Sequence, residues 1–196
     1  DAIDVGFNVI DLADLSARLG MSVTDSTDMV IWTTTPWTIP ANQAVAVHTD
    51  IEYQLVKARG EEKADQNFIL AKDLVESAIE RYGYITFEVL ADFTGAKLEN
   101  LQLQHPLITE RQVPVILGEH VIATSGTGAV HTAPGHGVDD YKVGLLYNLK
   151  VDNPVGGNGV YLPTSPLFAG EHIYKANPKI IAALADNNKL WAHIPI

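Results

Sequence analysis

The sequence predicts an α+β fold, a barrel-like mixed β-sheet core with peripheral helices. Three observations carry that expectation. Short apolar or alternating runs recur along the chain, turn-forming and charged residues separate them, and only a few segments show helical spacing. Strands and helices do not alternate strictly, which argues against a βαβ sheet.

Ile3–Val9 alternates apolar and polar residues, as a half-buried strand does. Asp11 stands as an N-cap before Leu12, Leu15 and Leu19 at helical spacing, and Gly20 stops that helix. Met29–Thr33 and Ala44–His48 read as strands on either side of a threonine-rich segment, and Ile51–Ala58 as another, ended by the charged turn RGEEKADQ. Ala71–Tyr82 is the clearest helix: Leu74, Ala78, Ile79 and Tyr82 share one face, and Gly83 closes it. Tyr84–Leu90, Val113–Leu117, His120–Thr124 and Gly128–Thr132 are further short strands. Asp139–Asn148 reads as helix, and so does Pro178–Asn187, with Asn177 as cap and Pro178 in the first turn. The Gly/Pro-rich stretch Asn153–Gly170 reads as an irregular loop over the surface or over a pocket.

Composition narrows the function. A length of 196 residues, 46% of them hydrophobic and 19% charged, suits a globular chain with a sizeable core, read as a single domain over 1–196. No apolar run approaches the roughly 20 residues that span a bilayer. There are no cysteines, which removes disulfides, thiolate metal sites and a cysteine nucleophile, and makes a reducing cytoplasm the default location. The net charge of −11 argues against a broad phosphate-binding surface while leaving room for capture of one nucleotide end. The first residue is not methionine, so the chain is expected to be a processed product or a piece of a larger protein.

Two polar segments stand out. WTTTPWTIPAN (Trp32 to Asn42) sets Thr33, Thr34, Thr35, Thr38 and Asn42 among two prolines and two tryptophans. GTGAVHTAPGHGVDDY (Gly126 to Tyr141) places His131, His136, Asp139 and Asp140 on a loop that runs into a helix. In an extended chain Thr33 and Thr35 face one side and Thr34 the other, while Pro36 stiffens the turn and Trp37 adds an apolar wall. Such a set suits a small polar ligand; it equally suits turns whose hydroxyls satisfy local backbone groups. Two adjacent aspartates at a helix start exceed what one cap needs, so one is free to grip a cation such as an ammonium group.

Other chemistries fit poorly. His131, His136 and Asp140 match no standard zinc spacing. Ser125 in ATSGTG lacks the first glycine of a nucleophile elbow, and GTGAVH lacks the third glycine of a dinucleotide loop and enters a strand.

The two segments, with FILAKDLVESAIERYG, VPVILGEHV and NPVGGNGVYLP, resemble the editing domain (connective-peptide insertion) of isoleucyl-tRNA synthetases, from about Met29 onward. Valyl and leucyl enzymes carry Arg-Pro where this chain has Thr35-Pro36. The synthetase signatures His-Ile-Gly-His and Lys-Met-Ser-Lys-Ser are absent, so amino-acid activation is not expected of this chain. The resemblance implies hydrolysis of valine misattached to isoleucine tRNA, with the rest of a synthetase and the aminoacylated 3′ end as partners. It implies a monomer with no cofactor, metal or membrane. The need is physical: one methylene discriminates by only about 1–3 kcal/mol, a limit for which isoleucyl-tRNA synthetase is itself the usual illustration.

Carried over by position, Asp140 anchors the α-ammonium and His131 lines the amino-acid pocket. Thr33, Thr34, Thr35, Thr38 and Asn42 hold side chain, ester and adenosine; Trp37 stacks or walls the region; Asp139 is a further contact or only a helix cap. Water is expected to attack the ester without a covalent intermediate, with positioning and oxyanion hydrogen bonds supplying the rate and a substrate hydroxyl or His131 activating the water. A non-catalytic binding module, a metal-dependent hydrolase and a freestanding editing protein are the rival readings.

Overall fold

Strand β1 (Ala2–Val9) organises the molecule because its two edges carry three partners. One edge pairs antiparallel with β2 (Thr27–Thr33), and the other divides between β10 (Leu190–Ile194) and β7 (Gln102–Gln104). A register shift between Asp4 and Val5 marks the irregularity in the pairing with β10. The computed structural model describes residues 1–196.

From β1 the sheet extends both ways. On one side β2 pairs parallel with β5 (Gln66–Ala71), then β4 (Glu52–Arg59) and β6 (Thr86–Thr94) follow antiparallel. On the other, β7 pairs with β8 (Gln112–Leu117), β8 runs parallel to β3 (Ala44–Val47), and β9 (Val130–Thr132) forms the edge. The ten-stranded mixed sheet curls: Ala71 at the end of β5 donates its N–H to Thr127 O at 2.9 Å, and Tyr53 Oη donates to Gly128 O at 2.6 Å. The segment leading into β9 is thereby tied to strands six and seven positions away along the sheet. That fastening makes the sheet barrel-like and carries β9 to the threonine segment.

The core follows the strand pattern. Ile3, Val5, Phe7, Met29, Ile31, Val45, Leu55 and Ile69 lie in one large apolar cluster. A second cluster joins Phe68, Leu70 and Val56 to helix α2 (Val75–Arg81). Helix α1 (Leu12–Leu19) has the expected caps, with Asp11 accepting from Asp14 N–H and Gly20 at φ 66°. Helices α3 (Val138–Leu146) and α4 (Ile173–Asp186) complete the set. No helix is long and apolar enough to cross a membrane.

Several expectations need correction. His120–Thr124 is not a strand: the His120 ring folds over Gly118, where a Cβ would lie 2.6 Å from it, and the chain turns. Gly128–Thr132 shortens to β9, and Tyr84–Leu90 becomes Thr86–Thr94. The helix expected over 71–82 starts later, at Val75, because Ala71 ends β5 and residues 72–74 form a 3₁₀ turn. Helix α4 begins at Ile173, capped by the His172 side chain, so Pro178 sits inside it. The lost N–H of Pro178 removes one helical bond. Ala176, Ile180, Ile181 and Leu184 bury on the main core and offset that loss. The 153–170 stretch is the irregular segment expected, with only the isolated pairing of Val155 with Tyr161 and a further one from Val160 to His172.

Candidate active site

The threonine segment departs from β2 as an extended chain and then winds into a 3₁₀ turn over Pro36–Ala41. The change at Pro36 brings hydroxyls together. Thr33 Oγ1 lies 3.3 Å from Thr35 Oγ1 and accepts from Thr35 N–H at 3.1 Å, and Thr38 Oγ1 donates to Thr35 O at 2.9 Å. Much of the hydroxyl density thus satisfies local backbone, as the plainer reading of these threonines requires. Thr34 and Thr35 stay exposed to solvent.

His131, on β9, faces this turn and is fixed at both ring nitrogens. Asn42 Nδ2 donates to Ala44 O at 2.9 Å, so its amide nitrogen also faces His131 Nδ1, at 2.6 Å. His131 Nδ1 therefore accepts, and the proton resides on Nε2, which donates to Thr38 Oγ1 at 2.8 Å. Burial, reinforced by His105 and His136 nearby, lowers the imidazole to about 3, so the ring is neutral.

Asp140 stands on the opposite wall, in the first turn of α3. Gly137, not either aspartate, is the N-cap. Asp140 Oδ2 accepts from Ala133 N–H at 2.8 Å across the loop, and no Lys, Arg or His pairs with it. Burial pushes its carboxyl above the ordinary value, against the pull of the Ala133 N–H and His120 and with a smaller push from Asp139. A desolvated carboxylate without a cation is a receptor for one.

Between the walls lies a cleft of about 280 Å³ that Thr33, Thr34, Thr35, Thr38, His131 and Asp140 all line. Three residues expected in the site are elsewhere. Asn42 is buried behind His131 and orients it. The Trp37 indole packs edge-on to His136 and against the main core. Asp139 faces a separate depression of about 530 Å³ beyond α3, with Lys142, His48 and His120. In exchange, Trp32 and His136 line the cleft. Both lie within the two segments that sequence singled out, but no spacing rule assigns them to the cleft. Metal ligation by the His131–His136–Asp140 set is disfavoured at His131, whose accepting nitrogen already holds the Asn42 N–H.

A family model described as the leucyl-tRNA synthetase editing domain matches residues 16–163. The chain belongs to this editing-domain family. The editing domain is 75% identical, over all 196 residues, to part of the isoleucine–tRNA ligase of Acinetobacter baylyi, and 54% identical to part of that of Psychrobacter arcticus. It spans 21% and 20% of their lengths, about a fifth. Solved editing domains of cytosolic leucyl-tRNA synthetases share its fold. That of P. falciparum superposes with a TM-score of 0.77 at 9% identity, covering 98% of this chain and 99% of that one. For P. knowlesi the values are 0.75, 11%, 98% and 96%. Among the relatives named, similarity along the whole chain is to isoleucine–tRNA ligases, in agreement with the isoleucyl resemblance of the threonine segment.

Proposed function

We propose that the cleft hydrolyses the ester joining valine to the 3′ end of isoleucine tRNA, by attack of a positioned water. The observation that carries this reading is Asp140, a partly buried carboxylate with no cation of its own, set across a narrow cleft from a wall of hydroxyls. An α-ammonium held there places the adjoining ester carbonyl toward Thr34 and Thr35. Their exposed hydroxyls, together with backbone N–H groups, are the donors for a developing oxyanion.

His131 shapes the cleft in this reading and moves no proton. A general base needs a free lone pair, and its Nδ1 accepts from Asn42 while Nε2 carries hydrogen. The ring's place beside Thr38 limits the room for the amino-acid side chain, which is how a site admits valine and excludes one further methylene. A substrate ribose hydroxyl is the remaining group for activating water, and no step requires a metal or cofactor. The terminal adenosine lies toward the exposed Trp32.

The test is hydrolysis of valyl-tRNA by the chain with Asp140 intact and with Asp140→Asn, at matched folding. Equal rates would overturn the assignment. Persistence of activity in a chelator supports the metal-free reading, and its loss would replace it.

A further inference from the structure

The 3₁₀ turn over Pro36–Ala41 has two sides. One carries Thr38 to the cleft; the other is gripped by three side chains that the hydrolytic reading leaves without a role. In a 3₁₀ turn the carbonyl of residue i accepts from the N–H of i+3. Pro40 has no N–H, so the sequence orphans the Trp37 carbonyl, and Tyr161 Oη donates to it at 2.5 Å. Gln43 N–H goes to Thr132 O on β9, which leaves Pro40 O free, and Arg111 Nη1 donates to it at 2.8 Å. The same nitrogen donates to Asn42 O at 3.2 Å. His105 Nε2 donates to Ile39 O at 2.9 Å, its tautomer set by Nδ1 accepting from the N–H groups of Leu107 and Ile108.

These donors come from two separate places in the chain, His105 and Arg111 from the connection between β7 and β8 and Tyr161 from the irregular 153–170 stretch, and Tyr161 and His105 are buried. Arg111 makes no ion pair, although acidic residues outnumber basic ones 24 to 13; its guanidinium serves carbonyls instead. Two of the gripped residues lead straight to the cleft. Trp37 precedes Thr38, which accepts from His131 Nε2, and Asn42 donates to His131 Nδ1. A shift of the turn therefore moves the threonine wall and His131 together.

We propose that Tyr161, His105 and Arg111 are positioning residues that fix the width of the editing cleft and so set its selectivity between valine and isoleucine esters. The proposal rests on the hydrolytic reading above. It needs only small displacements, since a single methylene separates the two substrates and misplacement by about 1 Å changes rates by up to about 10²-fold.

The experiment compares hydrolysis of valyl- and isoleucyl-tRNA by the parent chain and by Tyr161→Phe, Arg111→Met and Arg111→Lys, with ¹⁵N spectra of the His131 ring recorded on each. Tyr161→Phe keeps the ring's packing, so it decides the matter if Arg111→Met does not fold. The valine-to-isoleucine rate ratio should fall about tenfold in Tyr161→Phe and Arg111→Met, and Arg111→Lys should recover part of it. The parent's His131 should show one Nε2–H tautomer that becomes averaged in the two variants. A lowered melting temperature with an unchanged ratio and unchanged ring signals means a merely structural clamp and overturns the proposal. If the parent hydrolyses neither ester, the hydrolytic reading fails, and the ring signals alone then judge the clamp.

Discussion

Asp4 and Asp28, packed near α2, are as deeply buried as any side chain in the molecule, and each is surrounded by donors. Arg81 Nη2 and Tyr82 Oη both reach Asp4 Oδ2 at 2.7 Å, while Lys189, Trp191 and Asn8 converge on Asp28 at 2.9–3.0 Å. Asp140 is less buried and far less satisfied, with one backbone N–H and no cation. The contrast separates two uses of a carboxylate. Where the charge is structural, the chain supplies its partners, because a buried ion left alone costs several kcal/mol. Where the partner is missing, the carboxylate stands at a cleft open to solvent, as the proposed capture of an α-ammonium requires.

Breaking this contrast at Asp140 should have the largest effect. Asp140→Asn is expected to lower deacylation about 10²–10³-fold, read by single-turnover hydrolysis. Its melting temperature should hold or rise, since a desolvated carboxylate opposes folding. A collapse in stability would instead make Asp140 a structural charge like the other two.

Asp4→Ala is the reciprocal case. It should cost about 3–5 kcal/mol in denaturant titration by stranding Arg81, with the hydrolysis rate per folded molecule unchanged. Thr38→Val sharpens the picture at the other wall. It strands the His131 Nε2–H and should cost about 1–3 kcal/mol, accompanied by a change in the ring's ¹⁵N signals.

The smallest effect is on the pH dependence of stability. His131 and His105 are lowered by burial to about 3 and about 4, against 6.5 unfolded. Between those values the unfolded chain binds more protons than the folded one, so stability rises with pH up to about 6.5 and is lost as pH falls toward 4. His105→Gln should flatten that slope in thermal scans from pH 4 to 7. An unchanged slope would mean that His105 titrates normally.

How far the sequence could be read follows the range of the interactions involved. The α1 caps are local, and Asp11 and Gly20 act where their types predict. Strand β10 is hidden from a local reading because it ends the chain yet pairs with β1, and β7, three residues long, is too short for a period to show. At α4 the local signal of Pro178 points to a helix start there, and core burial of Ile180 and Leu184 overrides it, so the helix begins at Ile173. At the site, residue type alone put Asn42, Trp37 and Asp139 in the pocket. Tertiary packing turned Asn42 behind His131, Trp37 toward the core and Asp139 to the far side of α3.

By itself, then, the sequence determined the two polar segments, the α+β class and the family they resemble, because those depend on residue types close together in the chain. Tertiary structure decided which groups are saturated and which stay open. Tying Thr127 and Gly128 to β5 and β4 sets His131 against Thr38 and Asn42, filling both ring nitrogens, and leaves Asp140 facing them with no cation. Hydrogen-bond saturation depends on every neighbour in space, and that arrangement exists only once the sheet has curled.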